Sequence, residues 1–244
     1  MKAAIMQPTY LPWIGYFDLM DQVDIFVFLD DVQFAKRSWQ QRNRIKTPNG
    51  PMWLTVPVFS KGVRTEGKTI MEIYISDNKF WEKHAKAIKI NYSKAEFFED
   101  YFDGLVNIIS KNATKLVDLN IELIKYIKDL LSIKTQLVNS SELNVKGVRS
   151  EKLAKICEQL GVKTYISPMG SIKYLLEELK EFKARNINVL FHNYEHPSYK
   201  QLYDDFLPYM SIIDLIFNEG RDSIKIIRSG RKEPYKVDHF LDKT

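Results

Sequence analysis

The 244-residue chain lacks most of the patterns that announce a function directly. It has one cysteine, Cys157, which cannot close an internal disulfide and fits a reducing compartment. Cys157 lies on the apolar stripe of a helical pattern, where a thiol fills core more often than it attacks a substrate. The ten glycines form neither GxGxxG nor GxxxxGK[ST], and GxSxG, HExxH and paired CxxC are also missing. The first strand candidate ends in a proline-bearing, glycine-poor turn, which argues against a dinucleotide held in the usual Rossmann way. No apolar run approaches the ~20 residues of a membrane helix. The N-terminal run stops at Gln7-Pro8, too soon for a signal peptide. A soluble, cytoplasmic protein with no membrane span is expected. Repeats, low-complexity tracts and a dividing linker are absent as well.

What is present has globular proportions: 45% hydrophobic, 27% charged, net charge +5. That mild excess favours anionic partners such as phosphates without requiring a nucleic acid. Lys2–Met6 and the β-branched, aromatic run Ile25–Leu29 read as strands, with a short helix, Gly15–Gln22, between them. Strand, loop, helix and strand within about thirty residues have the size of a βαβ unit and favour a parallel sheet. Asn49-Gly50-Pro51 signals a turn before a strand at Met52–Val58; Ser60–Lys68 reads as an exposed loop and Ile70–Ile75 as a strand. Helical patterns cover Lys79–Asn91, Phe97–Ser110 and Lys115–Leu131. Alternation then resumes with strands at Thr135–Val138, Thr164–Ser167 and Asn188–Phe191. Helices are expected at Ser150–Leu160, Lys173–Phe182 and around Tyr209–Asn218. The fold class is α/β: one domain over residues 1–244, a mostly parallel Rossmann-like sheet with covering helices, and a helical segment at about 79–132.

The chemistry is expected in the interval Gln7–Lys46. Ligands of open parallel sheets sit beyond the carboxyl ends of the strands. Two such ends are polar here, Gln7-Pro8-Thr9-Tyr10 and Asp30-Asp31-Val32-Gln33. Next, Lys36–Lys46 carries five cations and no acid around Trp39. Arg37, Arg42, Arg44 and Lys46 suit phosphate or carboxylate oxygens, with Gln41 and Asn43 as amide neighbours. Trp13, Trp39 and Tyr10 offer faces for a base or sugar. The plainer reading is a solvated basic loop anchored by tryptophans. Asp30 and Asp31 are candidates for a base or a ribose acceptor, or they merely cap a turn. No other acidic or histidine cluster has metal-ligand spacing, so no metal site is expected. His196, held extended before Pro197, is the other candidate base, or else a loop-packing histidine. Tyr199 and Gln201 follow it in the same strand-end loop.

These residues resemble the bacterial WbqC-like family. The opening MQPTYLPWIGYFDLM and the block VDIFVFLDDVQFAKRSWQQRNRIKTPNGPMWLTVPV look like its N-terminal signature. NYSKAEFF, the Ser140-Ser141 pair, HPSYKQLYDDF and Met210–Asn218 follow in the family's order. The resemblance spans almost the whole chain and implies modification of sugars for bacterial surface polysaccharides such as O-antigen of lipopolysaccharide. It suggests transfer of a glycyl or other acyl group to the amine of a nucleotide-linked amino sugar. No site residue is carried over from the family; Ser140, at the end of the Thr135–Val138 strand, joins the candidate ligand contacts by its position. A fainter resemblance is to the nucleotidylyltransferase-like α/β fold; the paired histidines of that motif are absent, and Gly15 is followed by Tyr16.

The leading expectation is therefore a transferase. Its ligand is a phosphorylated small molecule, a nucleotide-linked sugar, beside an acyl or aminoacyl donor, with Asp30 or His196 as base. The alternative is a non-catalytic binding protein that serves a partner enzyme. A nucleic-acid binder would use the same basic run, but neither the charge nor any recognisable module favours it. The sequence names no cofactor.

Overall fold

A computed structural model describes residues 1–241. Its main sheet has six strands: β1 (Lys2–Met6), β2 (Ile25–Phe28), β5 (Gln136–Asn139), β6 (Thr164–Ser167), β7 (Asn188–Phe191) and β8 (Tyr235–Lys236). They run in the order β5-β2-β1-β6-β7-β8. All neighbours are parallel except β8, which closes the β7 edge antiparallel. The mostly parallel α/β architecture read from the alternation is present. Between β2 and β5 stands an antiparallel hairpin, β3 (Arg42–Thr47) and β4 (Gly50–Thr55).

The five parallel strands are apolar on both sides, so each feeds two cores. On β2, Phe26 and Phe28 join one cluster, while Ile25 and Val27 join the other. The first core is covered by α1 (Ile14–Asp21), α2 (Phe80–Tyr92), α3 (Phe98–Ile109), α4 (Leu116–Leu130), α8 (Ile212–Glu219) and α9 (Ser223–Ser229). The second is covered by α5 (Arg149–Gln159), α6 (Ile172–Glu177), α7 (Lys180–Lys183) and the short α10 (Asp238–Leu241). Cys157 is buried in this layer, and burial pushes its thiol up to about 12. It is core.

Three expectations are corrected. The alternating run Ile70–Ile75 forms a 3-10 turn at Ile70–Glu72, because Thr69 and Glu72 make a capping box. The helix expected at Lys173–Phe182 is broken into α6 and α7. The hairpin strand β3 occupies part of what read as a basic loop.

Candidate functional site

The site begins where pairing stops. β1 and β6 pair only at Lys2↔Thr164 and Ala3↔Tyr165, although β1 runs on to Met6 and β6 to Ser167. Connections leave these two strands in opposite directions: β1 leads through α1 to β2, and β6 leads through α6 to β7. This is the topological switch point of the sheet, where open α/β folds place ligands. A cavity of about 310 Å³ occupies the gap. Ile5, Met6 and Tyr165 reach it from the strands; Gln7 and Gln40 stand on one side, Gly170 and Ser171 on the other.

A second cavity of about 290 Å³ adjoins it, with Met6, Thr9 and Trp39 in both walls. Its remaining walls include Trp13, Asn43, Arg44 and Tyr209. Trp13 precedes α1, and its indole lies against Gly15: a Cβ there would come within 2.2 Å of the ring. Trp13 is steadied by Tyr194, His196 and Tyr209, at ring separations of 5.7, 6.1 and 5.4 Å. Arg44 is the one charged side chain in either wall among the described residues. An anion entering the cavities therefore meets a cation and no carboxylate.

Several buried amides hold these walls. Asn43 donates to the carbonyls of Tyr10 (3.2 Å) and Leu11 (2.7 Å), fixing Leu11 in the left-handed region at φ 43°. Asn120 on α4 donates to Pro8 O (3.2 Å) and Gln40 O (2.7 Å), joining the loops after β1 and before β3. Gln40 in turn donates to the Gln7 side-chain oxygen at 2.7 Å. The strand ends and the hairpin thus reach the cavities as one connected frame.

A family model, the WbqC-like protein family, matches residues 7–226. The chain belongs to the WbqC-like family. It is also 39% identical over 233 residues to Rv1507c of Mycobacterium tuberculosis, an uncharacterized protein; the match covers 95% of this chain and 99% of the relative. No solved structure matches it.

Within this WbqC-like chain most of the expected site residues fall into three groups, and Tyr10, Gln33, Arg37 and Arg42 stand apart from them. Gln7, Trp13, Trp39, Asn43 and Arg44 line the cavities. Asp30, Asp31 and Ser140 gather at the carboxyl end of β2, outside both walls. The Asp30 carboxylate accepts from Ser141 N (2.9 Å) and Ser141 Oγ (2.7 Å), and it shares the Ser140 hydroxyl, 3.0 Å away, with Asp31. Asp31 pairs with Lys152 at 2.6 Å. Tyr10 is buried, with its hydroxyl 2.8 Å from His84 Nδ1, rather than facing a ligand.

The third group fastens the segment that carries Tyr209. Asp214, buried, accepts from Tyr92 (2.8 Å), Tyr199 (2.8 Å) and Gln201 (2.7 Å), and burial raises its pKa. The Lys46 ammonium donates to Tyr203 O at 3.3 Å and to Asp205 O. His196 accepts the Tyr209 amide at Nε2 (3.1 Å), which leaves Nδ1 to donate to Pro197 O (2.9 Å). Burial lowers its pKa, so the neutral ring is favoured. Both ring nitrogens are engaged. Gln33 and Arg37 are surface residues away from the walls; Arg37 takes φ 59° on the turn before β3. Arg42 lies over Trp53, its Cζ 4.2 Å from the ring centroid.

Sequence reasoning left out Thr9, Gly170, Ser171, Tyr174 and Tyr209. The polar run Ser167-Pro168-Met169-Gly170-Ser171 after a strand was the available signal for the second wall. Among the described residues no group of three or more His, Cys, Asp or Glu is placed to hold a metal ion. No described helix is long and apolar enough to cross a membrane.

Proposed function

We propose that the chain is a transferase of bacterial surface-polysaccharide synthesis that binds a nucleotide-linked amino sugar and moves a glycyl or other acyl group onto its amine. The observation that carries this reading is the pair of adjoining cavities at the sheet's switch point. Each lies at the small end of ligand-site volumes, and they meet at Met6, Thr9 and Trp39. Two reactants held in adjoining spaces suit transfer, because orientation replaces a bimolecular encounter. Arg44 supplies charge for a phosphate, and Trp13 and Trp39 supply faces for a sugar or base.

In the reaction the amine nitrogen bonds to the acyl carbon, the bond from that carbon to its leaving group breaks, and the amine proton departs with the leaving group. Family membership supports the surface-polysaccharide setting. The test is incubation with nucleotide-linked amino sugars and acyl donors, read by mass spectrometry. An amide product that depends on Arg44 supports the proposal; unchanged substrates throughout contradict it.

A second reading rests on the saturation of Asp30 and His196 by internal hydrogen bonds. Neither presents a free base to the cavities, which favours a non-catalytic protein that holds the nucleotide sugar for a partner enzyme. Binding without turnover of any donor would select it.

A further inference from the structure

Outside the cavities, the hairpin carries a ladder of indoles and guanidiniums. Arg44 stands opposite Trp53 in the β3–β4 register. The Trp39 and Trp53 rings are 5.3 Å apart. Arg42 lies 4.2 Å from the Trp53 centroid, and Arg44 lies 5.6 and 5.7 Å from Trp39 and Trp53. Both tryptophans are open to solvent, at 47% and 43% exposure. Trp53 belongs to neither cavity wall, while Trp39 and Arg44 belong to the ladder and to the walls.

Two features make this more than surface decoration. Neither Arg42 nor Arg44 has a carboxylate partner among the described residues, and the Nε of each is buried without any hydrogen-bond partner. Exposed indoles interleaved with guanidiniums that no carboxylate neutralises form a surface complementary to an aromatic ring that carries phosphate.

We propose that this ladder is a stacking subsite for an adenosine-phosphate handle on the acyl donor. The base would stack on Trp53, the phosphate would meet Arg42, and the acyl end would pass Trp39 and Arg44 into the cavities. The assignment rests on the transfer reading above. Two sources share this chemistry, a coenzyme A thioester and an acyl adenylate made from ATP.

Tryptophan fluorescence of the full chain tests the subsite, with coenzyme A, ATP and phosphopantetheine as probes. Coenzyme A or ATP quenches the emission, and phosphopantetheine, which lacks adenosine, does not. Quenching by coenzyme A but not ATP identifies a thioester; the reverse identifies an adenylate. Trp53→Ala weakens the active probe by about ten-fold or more, as loss of one base stack does, while Trp53→Tyr keeps most of the affinity. Stabilisation by a nucleotide sugar is unchanged in Trp53→Ala, because that residue is outside the cavities.

Failure of both probes to bind, or equal binding to Trp53→Ala, overturns the subsite and leaves the cavity reading standing. Loss of nucleotide-sugar binding in a folded Trp53→Ala also overturns it, since the ladder would then serve the acceptor. An oligoadenylate that binds more tightly than either probe, with steep salt dependence, overturns it in favour of a nucleic-acid surface. Trp53-dependent quenching without any nucleotide-sugar binding supports the ladder and removes the cavity reading.

Discussion

Ala3 of β1 sits opposite Tyr165 of β6, and it is the last pair those two strands make. Tyr165 is buried and stacks almost flat on Phe182, with ring centroids 5.3 Å apart at 3°. Beyond that pair the strands no longer bond to each other, and the space between them is the cavity of about 310 Å³. Gly170 borders it, and a Cβ at this position would meet nothing within 4 Å. Gly170→Phe is therefore expected to project into free space: the melting temperature stays within a few degrees, and cavity ligands no longer stabilise the protein. Thermal denaturation with and without a nucleotide sugar checks both parts. A collapse in stability without ligand would show that the space is not free.

Gly15 and Trp13 yield a second prediction. Alanine is better in a helix than glycine by about 1 kcal/mol, yet the new Cβ would lie 2.2 Å from the indole. Gly15→Ala is expected to push Trp13 out of the second cavity and weaken ligand binding by roughly ten-fold or more. It should also shift tryptophan emission to the red. Unaltered emission would contradict the contact.

Asp30 carries a third. Its carboxylate accepts two hydrogen bonds from Ser141, shares the Ser140 hydroxyl with Asp31, and ties the end of β2 to the turn after β5. Asp30→Asn replaces an accepting oxygen with a donor and is expected to cost about 1–3 kcal/mol. Urea denaturation checks it: the midpoint falls at constant slope. A full loss of turnover with an unmoved midpoint would instead mark Asp30 as the base.

The fourth concerns pH. His84 is buried between Tyr10 and Thr55, and burial lowers its pKa from 6.5 to about 4. Between those values the unfolded chain holds a proton that the folded ring does not. The stability contribution is therefore present above pH 6.5 and lost as pH falls toward 4, by about 3 kcal/mol in all. His84→Gln keeps a donor and an acceptor but does not titrate. Denaturation across this range should give a flatter pH dependence in the variant; identical curves would contradict the assignment.

The parallel sheet was legible because its strands are short apolar runs that switch to helical periodicity within a few residues. Thr164–Ser167 and Asn188–Phe191 fall where that pattern puts them. Ile70–Ile75 misled because the Thr69–Glu72 hydrogen bonds, at 2.7 and 2.8 Å, outweighed its alternation. The two-residue β8 follows Pro234 with no apolar pattern to mark it.

The site was legible on one side only. Gln7, Trp13, Trp39 and Arg44 were visible as polar and aromatic residues past a strand end. Treating Lys36–Lys46 as one loop hid the strand within it. On β3 the twofold alternation places Arg42 and Arg44 on the ladder, while Arg37 stays on the preceding turn. Tyr209, Gly170 and Ser171 enter from loops more than a hundred residues later in the chain, and no local spacing encodes their approach.

The most direct test of the account is calorimetric titration of nucleotide-linked amino sugars into the wild-type chain, Arg44→Ala and Gly170→Phe. Saturable binding to the wild type that weakens at least ten-fold in Arg44→Ala and vanishes in Gly170→Phe is the predicted result. No binding of any nucleotide sugar to the wild type, or equal affinity in all three proteins, would contradict a phosphorylated sugar in the gap between β1 and β6.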